Sequence, residues 1–304
     1  MNSETALEEL EYATGYERMY GVTDEQLAFL KRHQANLQRF DIRPCYDPSL
    51  DAPLERLALK RDELVAHGFA AARESGNLYE AFRVDFVHAT TALEGNTLSL
   101  LETGLILQQD LTAPNKPMKD HLEVIDASRA FERARKAAKE QEPLTEALVK
   151  DLHRIGAASL DEADPGEYRW DMRYVSTSPI YPPPAKRVPE LMRALVASNL
   201  AKSPVANAAL FHLVFEDIHP FGDGNGRTGR VLFNYQLMMA GYPPIVFKAD
   251  RENASRYYGA LSRFVEDVDG RDGTEFVRLV IERVDEELDK RLAQLALRLE
   301  REEA

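Results

Sequence analysis

The chain has 304 residues, 44% hydrophobic and 29% charged, enough apolar material for one large domain or two small ones. Its 38 basic and 51 acidic residues leave a formal net charge of −13, which argues against nonspecific nucleic-acid binding. The single cysteine, Cys45, excludes an intrachain disulfide and a cysteine-rich zinc site.

Residues 1–11 are acidic and lack the basic region and apolar core of a signal peptide. No window approaches the roughly 18 apolar residues of a membrane span. A cytoplasmic protein with no membrane or nucleic-acid partner is expected. Residues 24–37 read as a short helix carrying Leu27, Phe29, Leu30 and Leu37. Pro44, Pro48 and Pro53 make residues 43–53 a loop. Residues 54–74 are amphipathic, with Leu54, Leu57, Leu64, Val65 and Phe69 inward.

The next helix spans 78–93, with Leu78, Phe82, Phe86 and Thr90 on one face. Gly95-Asn96 stops it and puts Glu94 in its last turn. There the partial negative charge of the helix disfavours a carboxylate by a few tenths to about 1 kcal/mol. Such an acid is either solvated or paired with a cation, and the pattern alone leaves both open. Helices follow at 99–108, 121–138 and 145–156, with a turn at 112–117 and a loop at 161–166. Residues 168–181 mix aromatic, β-branched and small residues ahead of Pro182-Pro183-Pro184, the one strand-like region of the chain.

A helix from Pro204 begins with Ser203 as N-cap and ends before Pro220. A second runs over 226–240, with Val231, Leu232, Tyr235 and Met238 inward, Gly241 as C-cap and Pro243-Pro244 beyond. Between them lies Ile218-His219-Pro220-Phe221-Gly222-Asp223-Gly224-Asn225-Gly226-Arg227-Thr228-Gly229-Arg230. Its glycines fall on a loop and the first turn of a helix, where unpaired N–H groups and the dipole attract anions. Arg227 and Arg230, three apart, share one helix face. Residues 245–247 are extended, and 253–264 form a helix with Tyr257-Tyr258, aromatics that ordinarily pack inward. The last helix, 274–302, carries the stripe Phe276, Val280, Val284, Leu288, Leu292, Leu295 and Leu299. No internal repeat or low-complexity segment is present.

The run His219-Pro220-Phe221-x-Asp223-Gly224-Asn225-Gly226-Arg227-x-x-Arg230 resembles the signature of the Fic (Fido) family, matched at every fixed position. The resemblance extends more loosely over residues 79–281. It implies an all-α, mainly helical fold with one small β-hairpin flap. It also implies an enzyme that moves AMP from ATP to a Ser, Thr or Tyr hydroxyl of a protein with the help of Mg²⁺ or Mn²⁺. His219 is the titratable group suited to take the hydroxyl proton. Asp223 would hold the metal between phosphates. Gly222, Gly224, Asn225 and Gly226 would cradle the phosphates, and Arg227 and Arg230 would grip the β and γ groups. Phe221 reads as a core plug that fixes the loop.

By the same resemblance, Thr90-Thr91-Ala92-Leu93-Glu94-Gly95-Asn96 matches the family's inhibitory motif, and Glu94 would pair with Arg230. Val175, Ser176, Thr177 and Ser178 look like flap residues near the nucleotide, where an exposed edge would receive the target protein. Tyr257 and Tyr258 correspond to a tyrosine pair near the adenine. Val265 stands where some relatives have a ligand-contacting asparagine, and nothing is carried over there. The implied division is an N-terminal helical segment of unassigned role (1–76), an inhibitory helix (77–95), the catalytic core (96–282) and a C-terminal extension (283–304). A kinase branch of the family has Lys where this chain has Gly226, which favours AMP transfer. Two alternatives stay open: a deAMPylase, and a nucleotide-binding regulatory module without transferase activity. A homodimer is also open, though no residue pattern argues for it. Target protein and nucleotide base are not fixed by residue type.

Overall fold

The computed structural model describes residues 43–160, 164–171, 182–267 and 270–303, the side chains of 301–303 excepted. Among these residues lie ten α-helices and three short 3-10 turns, and the only β-pairing among them is an isolated bridge between Cys45 and Asp272. The all-α class is as expected. The helix expected at 24–37 and most of the hairpin expected at 168–181, including Val175, Ser176, Thr177 and Ser178, lie outside the described residues.

Helix α1 (Asp51–Ala66) begins earlier than expected, because Pro53 fits a first turn, where no N–H is needed. It also ends earlier, since the His67 N–H is shared among the carbonyls of Glu63, Leu64 and Val65 and tightens the last turn. The rest of the expected 54–74 helix is a loop and the 3-10 turn Ala71–Arg73. α2 (Asn77–Ala92), α3 (Leu100–Gln109) and α4 (Met118–Lys139) follow. α3 is closed by a capping box between Ser99 and Glu102. Val65 and Leu78, both expected inward, are 47% and 39% exposed. Each stands at a helix end, where the apolar stripe has left or not yet met the core.

α5 (Glu146–Gly156) and α6 (Val188–Val196) lead to the centre of the fold. There α7 (Pro204–Ile218) is buried at every residue from Ala208 to Ile218, as befits a helix apolar nearly all round. Pro204 sits at its first turn as expected, but Ser203 makes no side-chain cap bond. α6, α8 (Asn225–Met239), α9 (Arg251–Glu266) and α10 (Thr274–Glu303) all pack on α7. α8 also packs on α4, α5 and the end of α2, and α10 covers α1. α10 is continuous through the expected boundary at 282/283. Asp250 caps α9 by accepting the Asn253 N–H. No helix among the described residues is long and apolar enough to cross a membrane.

The packing places the loop 219–224 where α7 hands over to α8. The end of α2 is brought against the first turns of α8.

Candidate active site

α7 stops at His219, whose backbone is left-handed (φ 49°, ψ 62°). Its N–H still donates to the Phe215 carbonyl at 3.0 Å. The loop beyond is braced from within. The Phe221 N–H donates to Asn225 Oδ1 at 2.9 Å, and Asn225 Nδ2 donates back to the Phe221 carbonyl at 2.9 Å. Asn225, expected on the phosphates, therefore spends its side chain on the loop backbone. Phe221 is fully buried, the plug the sequence suggested. It stacks on His153 with ring centroids 3.6 Å apart and planes within 3°. His153 Nδ1 accepts the Gly166 N–H at 2.9 Å, so Nε2 carries the proton and donates to the Asp223 carbonyl, also at 2.9 Å. Burial pushes the His153 pKa down to about 4, and the ring stays neutral. Gly224 turns the chain into α8 at φ +79°, and a Cβ there would press on Ala157 and Leu160 at 3.3 Å.

The mouth of the site is the N-terminus of α8. Thr228 is the first residue of that helix to donate backward, to Gly224. The N–H groups of Gly226 and Arg227 are thus left for an anion. Arg227 lies 3.2 Å from Asp223 Oδ1 and 3.5 Å from Glu123 Oε1. Its Nε and Nη1 are buried without a hydrogen-bond acceptor, and such donors are costly until an oxygen meets them. The Asp223 carboxylate is 44% exposed at this mouth. His219 keeps its Nδ1 buried, which leaves Nε2 as the nitrogen facing the opening. Burial first, then the positive charge of Arg169, pushes the His219 pKa down to about 4, and the Glu216 carbonyl only partly opposes them. The imidazole is therefore neutral near pH 7.

Arg230 is buried and fully engaged. Nε donates to Thr90 Oγ1 at 2.8 Å, and Nη2 donates to the Thr90 carbonyl at 2.9 Å and to Glu94 Oε1 at 2.6 Å. Burial works against its charge, but Tyr257, Glu94 and Tyr258 outweigh it and hold the guanidinium charged. Glu94 itself sits just past the end of α2, in a turn where its N–H donates to Thr91, rather than in the last helical turn. Asn96 fixes that turn. Its Nδ2 donates to the Asp120 carbonyl and to Glu123 Oε2, each at 3.0 Å, and its Oδ1 accepts the Leu98 N–H at 3.1 Å.

The tyrosine pair is brought to the same place. The buried Tyr257 hydroxyl lies 2.8 Å from His212 Nε2 and 3.4 Å from Arg230 Nη1. The Tyr258 hydroxyl donates to the Leu93 carbonyl at 2.7 Å, one residue before Glu94. Both hydroxyls thus brace the Glu94–Arg230 contact. Behind them Glu216 is buried, with Oε1 unpartnered and 3.9 Å from His212 Nδ1. Burial pushes the Glu216 pKa up to about 8.

His219, Gly222, Asp223 and Gly224 lie on the loop into α8, Gly226 and Arg227 on its first turn, and Glu94 meets Arg230 beside Gly226. Four residues that matter here were not legible as site residues: Glu123, His153, Arg169 and His212. His153 and His212 lie on apolar helix stripes. Glu123 and Arg169 look like ordinary surface charges until the fold buries them.

A family model described as Fic/DOC family matches residues 143–237. The chain carries a Fic domain. The protein adenylyltransferase fic-1 of Caenorhabditis briggsae is 31% identical over 237 residues, covering 74% of this chain and 46% of that protein. The protein adenylyltransferase Fic of Drosophila ananassae is 32% identical over 242 residues, covering 78% and 47%. This Fic-domain chain therefore spans about half the length of the curated relatives it matches. Among solved structures, a Fic-domain-containing signalling protein from Bacteroides thetaiotaomicron superposes with a TM-score of 0.67 at 28% identity, over 79% of this chain and 96% of that one.

Proposed function

We propose that this Fic-domain chain is a protein adenylyltransferase, moving AMP from ATP to a side-chain hydroxyl of a protein. The observation that carries the reading is the placing of His219 on the loop that leads into the N-terminus of α8, whose first turn carries the unmet donors of Arg227. The names of its relatives point the same way.

The target hydroxyl attacks the α-phosphorus. His219 Nε2 takes the hydroxyl proton, the new P–O bond forms, and the bond from the α-phosphorus to the bridging oxygen breaks to release pyrophosphate. Arg227 and the N–H groups of α8 neutralise charge on that leaving group. The buried rings of Phe221 and His153 hold the loop still while this happens. A divalent cation fits the donor set, because one half-exposed carboxylate plus phosphate oxygens and water is the ordinary Mg²⁺ shell. Asp223 would hold it, and it would draw charge from the phosphates.

The Glu94–Arg230 pair supports an autoinhibited resting state. Arg230 cannot grip a γ-phosphate while its Nε and Nη2 serve Thr90 and Glu94. Residues 77–95 would then act as an inhibitory segment on a core spanning 96–282. The test is transfer from α-labelled and from γ-labelled ATP with purified Glu94→Gly protein. Label from the α position only is the expected result. Label from the γ position would make the chain a kinase, and no label from either would make it a binding module.

A further inference from the structure

The backbone at His219 is in a conformation that a residue with a Cβ rarely holds. It is left-handed at φ 49°, and such residues persist only where their surroundings over-determine them. It also follows the last turn of α7, whose final carbonyls have no helical donors.

One residue meets both needs. Arg169 Nε donates to the His219 carbonyl at 2.8 Å, and Nη2 reaches the Ile218 carbonyl at 3.5 Å. The backbone N–H of Arg169 donates to the Pro220 carbonyl at 2.9 Å. Three consecutive carbonyls, 218 to 220, are therefore held from one residue. Nη2 also donates to the Pro183 carbonyl, and Nη1 donates to the Asp171 carbonyl at 2.8 Å. The side chain is tied on both edges and buried, with Arg169 only 4% exposed. Its charge lies at the carbonyl end of α7, where the helix dipole favours a cation.

We propose that Arg169 is the positioning residue of the catalytic histidine: its guanidinium closes the end of α7 and sets the turn that aims His219 at the opening. The proposal rests on the reading of His219 as the base. Arg169 does not touch substrate in this role. It acts through the backbone of His219, and its neighbouring charge also helps to keep that ring neutral. Lysine keeps the charge but lacks the planar fork that reaches both sets of carbonyls.

The test compares Arg169→Lys and Arg169→Gln with their parent, all in the Glu94→Gly background. Initial rates of AMP transfer are measured across ATP concentrations. The His219 ring signal is followed in protein labelled with ¹⁵N-histidine, assigned with His219→Ala. A misaimed base costs roughly 10²-fold, so kcat is expected to fall by about that factor while the KM for ATP stays within about threefold. The His219 signal should move, with thermal unfolding still cooperative. Unchanged kcat with an unmoved His219 signal would overturn the proposal. So would a KM that rises as far as kcat falls, or loss of the fold in both variants, since either means a general structural role. If the Glu94→Gly parent itself transfers no AMP, the adenylyltransferase reading fails. The His219 signal in Arg169→Lys then still decides whether Arg169 sets that ring.

Discussion

Gly226 has no side chain where Glu94 has its carboxylate: a Cβ on Gly226 would stand 2.3 Å from Glu94 Oε1 and 2.9 Å from Arg230 Nη1. The first turn of α8 and the turn after α2 share the same space, and only a bare backbone lets the pair close. Gly226→Ala should therefore push Glu94 off Arg230. In a double-mutant cycle with Glu94→Gly, the alanine is expected to destabilise the parent more than the Glu94→Gly protein. A coupling of about 0.5–3 kcal/mol is the range for residues in direct contact. Denaturant unfolding of the four proteins measures it, and additive effects would mean that the two residues do not meet.

Release of Arg230 is the proposed switch. Glu94→Gly is expected to raise self- or target-labelling by at least about tenfold, since a misplaced α-phosphate costs about 10²-fold or more. A deAMPylase would instead lose AMP removal in the same variant, so release from a pre-labelled protein is followed alongside. Unchanged or reduced labelling by folded protein would make Glu94 an ordinary acid at a helix end.

His219→Ala, in the same activated background, should lower transfer by roughly 10²–10⁴-fold, the usual contribution of a general base. ATP affinity should stay within about threefold, because the proposed phosphate contacts lie on α8. Calorimetric titration with ATP separates the two effects. Transfer within about threefold of the parent would remove His219 from the chemistry.

Stability should peak at about pH 7. Glu216, pushed up to about 8, keeps a proton in the fold that the unfolded chain releases above its ordinary value of 4.5. Its contribution is present below that value and is lost as pH rises through 8. His153, His212 and His219, pushed down to about 4, 3 and 4, have the opposite sign. They stabilise above 6.5, and that is lost as pH falls and the unfolded chain binds their protons. From 4.5 through 6.5 the histidines, still half protonated in the unfolded chain at 6.5, outnumber the one acid, and above about 7 the acid prevails. Its limb falls by up to about 1.4 kcal/mol per pH unit. Glu216→Gln should flatten the decline in melting temperature from about pH 7 to 8. An unaltered decline would place its cause elsewhere.

Much of the site was legible because its residues lie in one short run. Thirteen positions from Ile218 to Arg230 carry the histidine, the acid and both arginines, and local helix signals on either side set the turn between them. Glu94 was legible only through the motif resemblance, since its partner is 136 residues away and pairing at that range leaves no local trace. Periodicity gave nearly all the helices, but not the exposure of Val65 and Leu78 near helix ends, which depends on neighbours from elsewhere in the chain. Asn225 illustrates a subtler gap. Its type suits a phosphate as well as a loop carbonyl, and only the fold shows its side chain returning to Phe221. Arg169 had no signal at all, because a guanidinium that serves backbone carbonyls needs no particular residue at the other end.

The Asn96 bridge has a consequence for how the resting state yields. Asn96 ties the Glu94 turn to Glu123, and Glu123 stands against Arg227. Asn96 thus links the turn that carries Glu94 to the α4 residue that faces Arg227, and a partner that displaces this turn would free Arg230 while also disturbing the surroundings of Arg227. If the closed turn is favoured by a few kcal/mol, the ordinary gap of a two-state element, about 0.1–10% of molecules stand open at any moment. That background would let the chain mark itself slowly without any trigger.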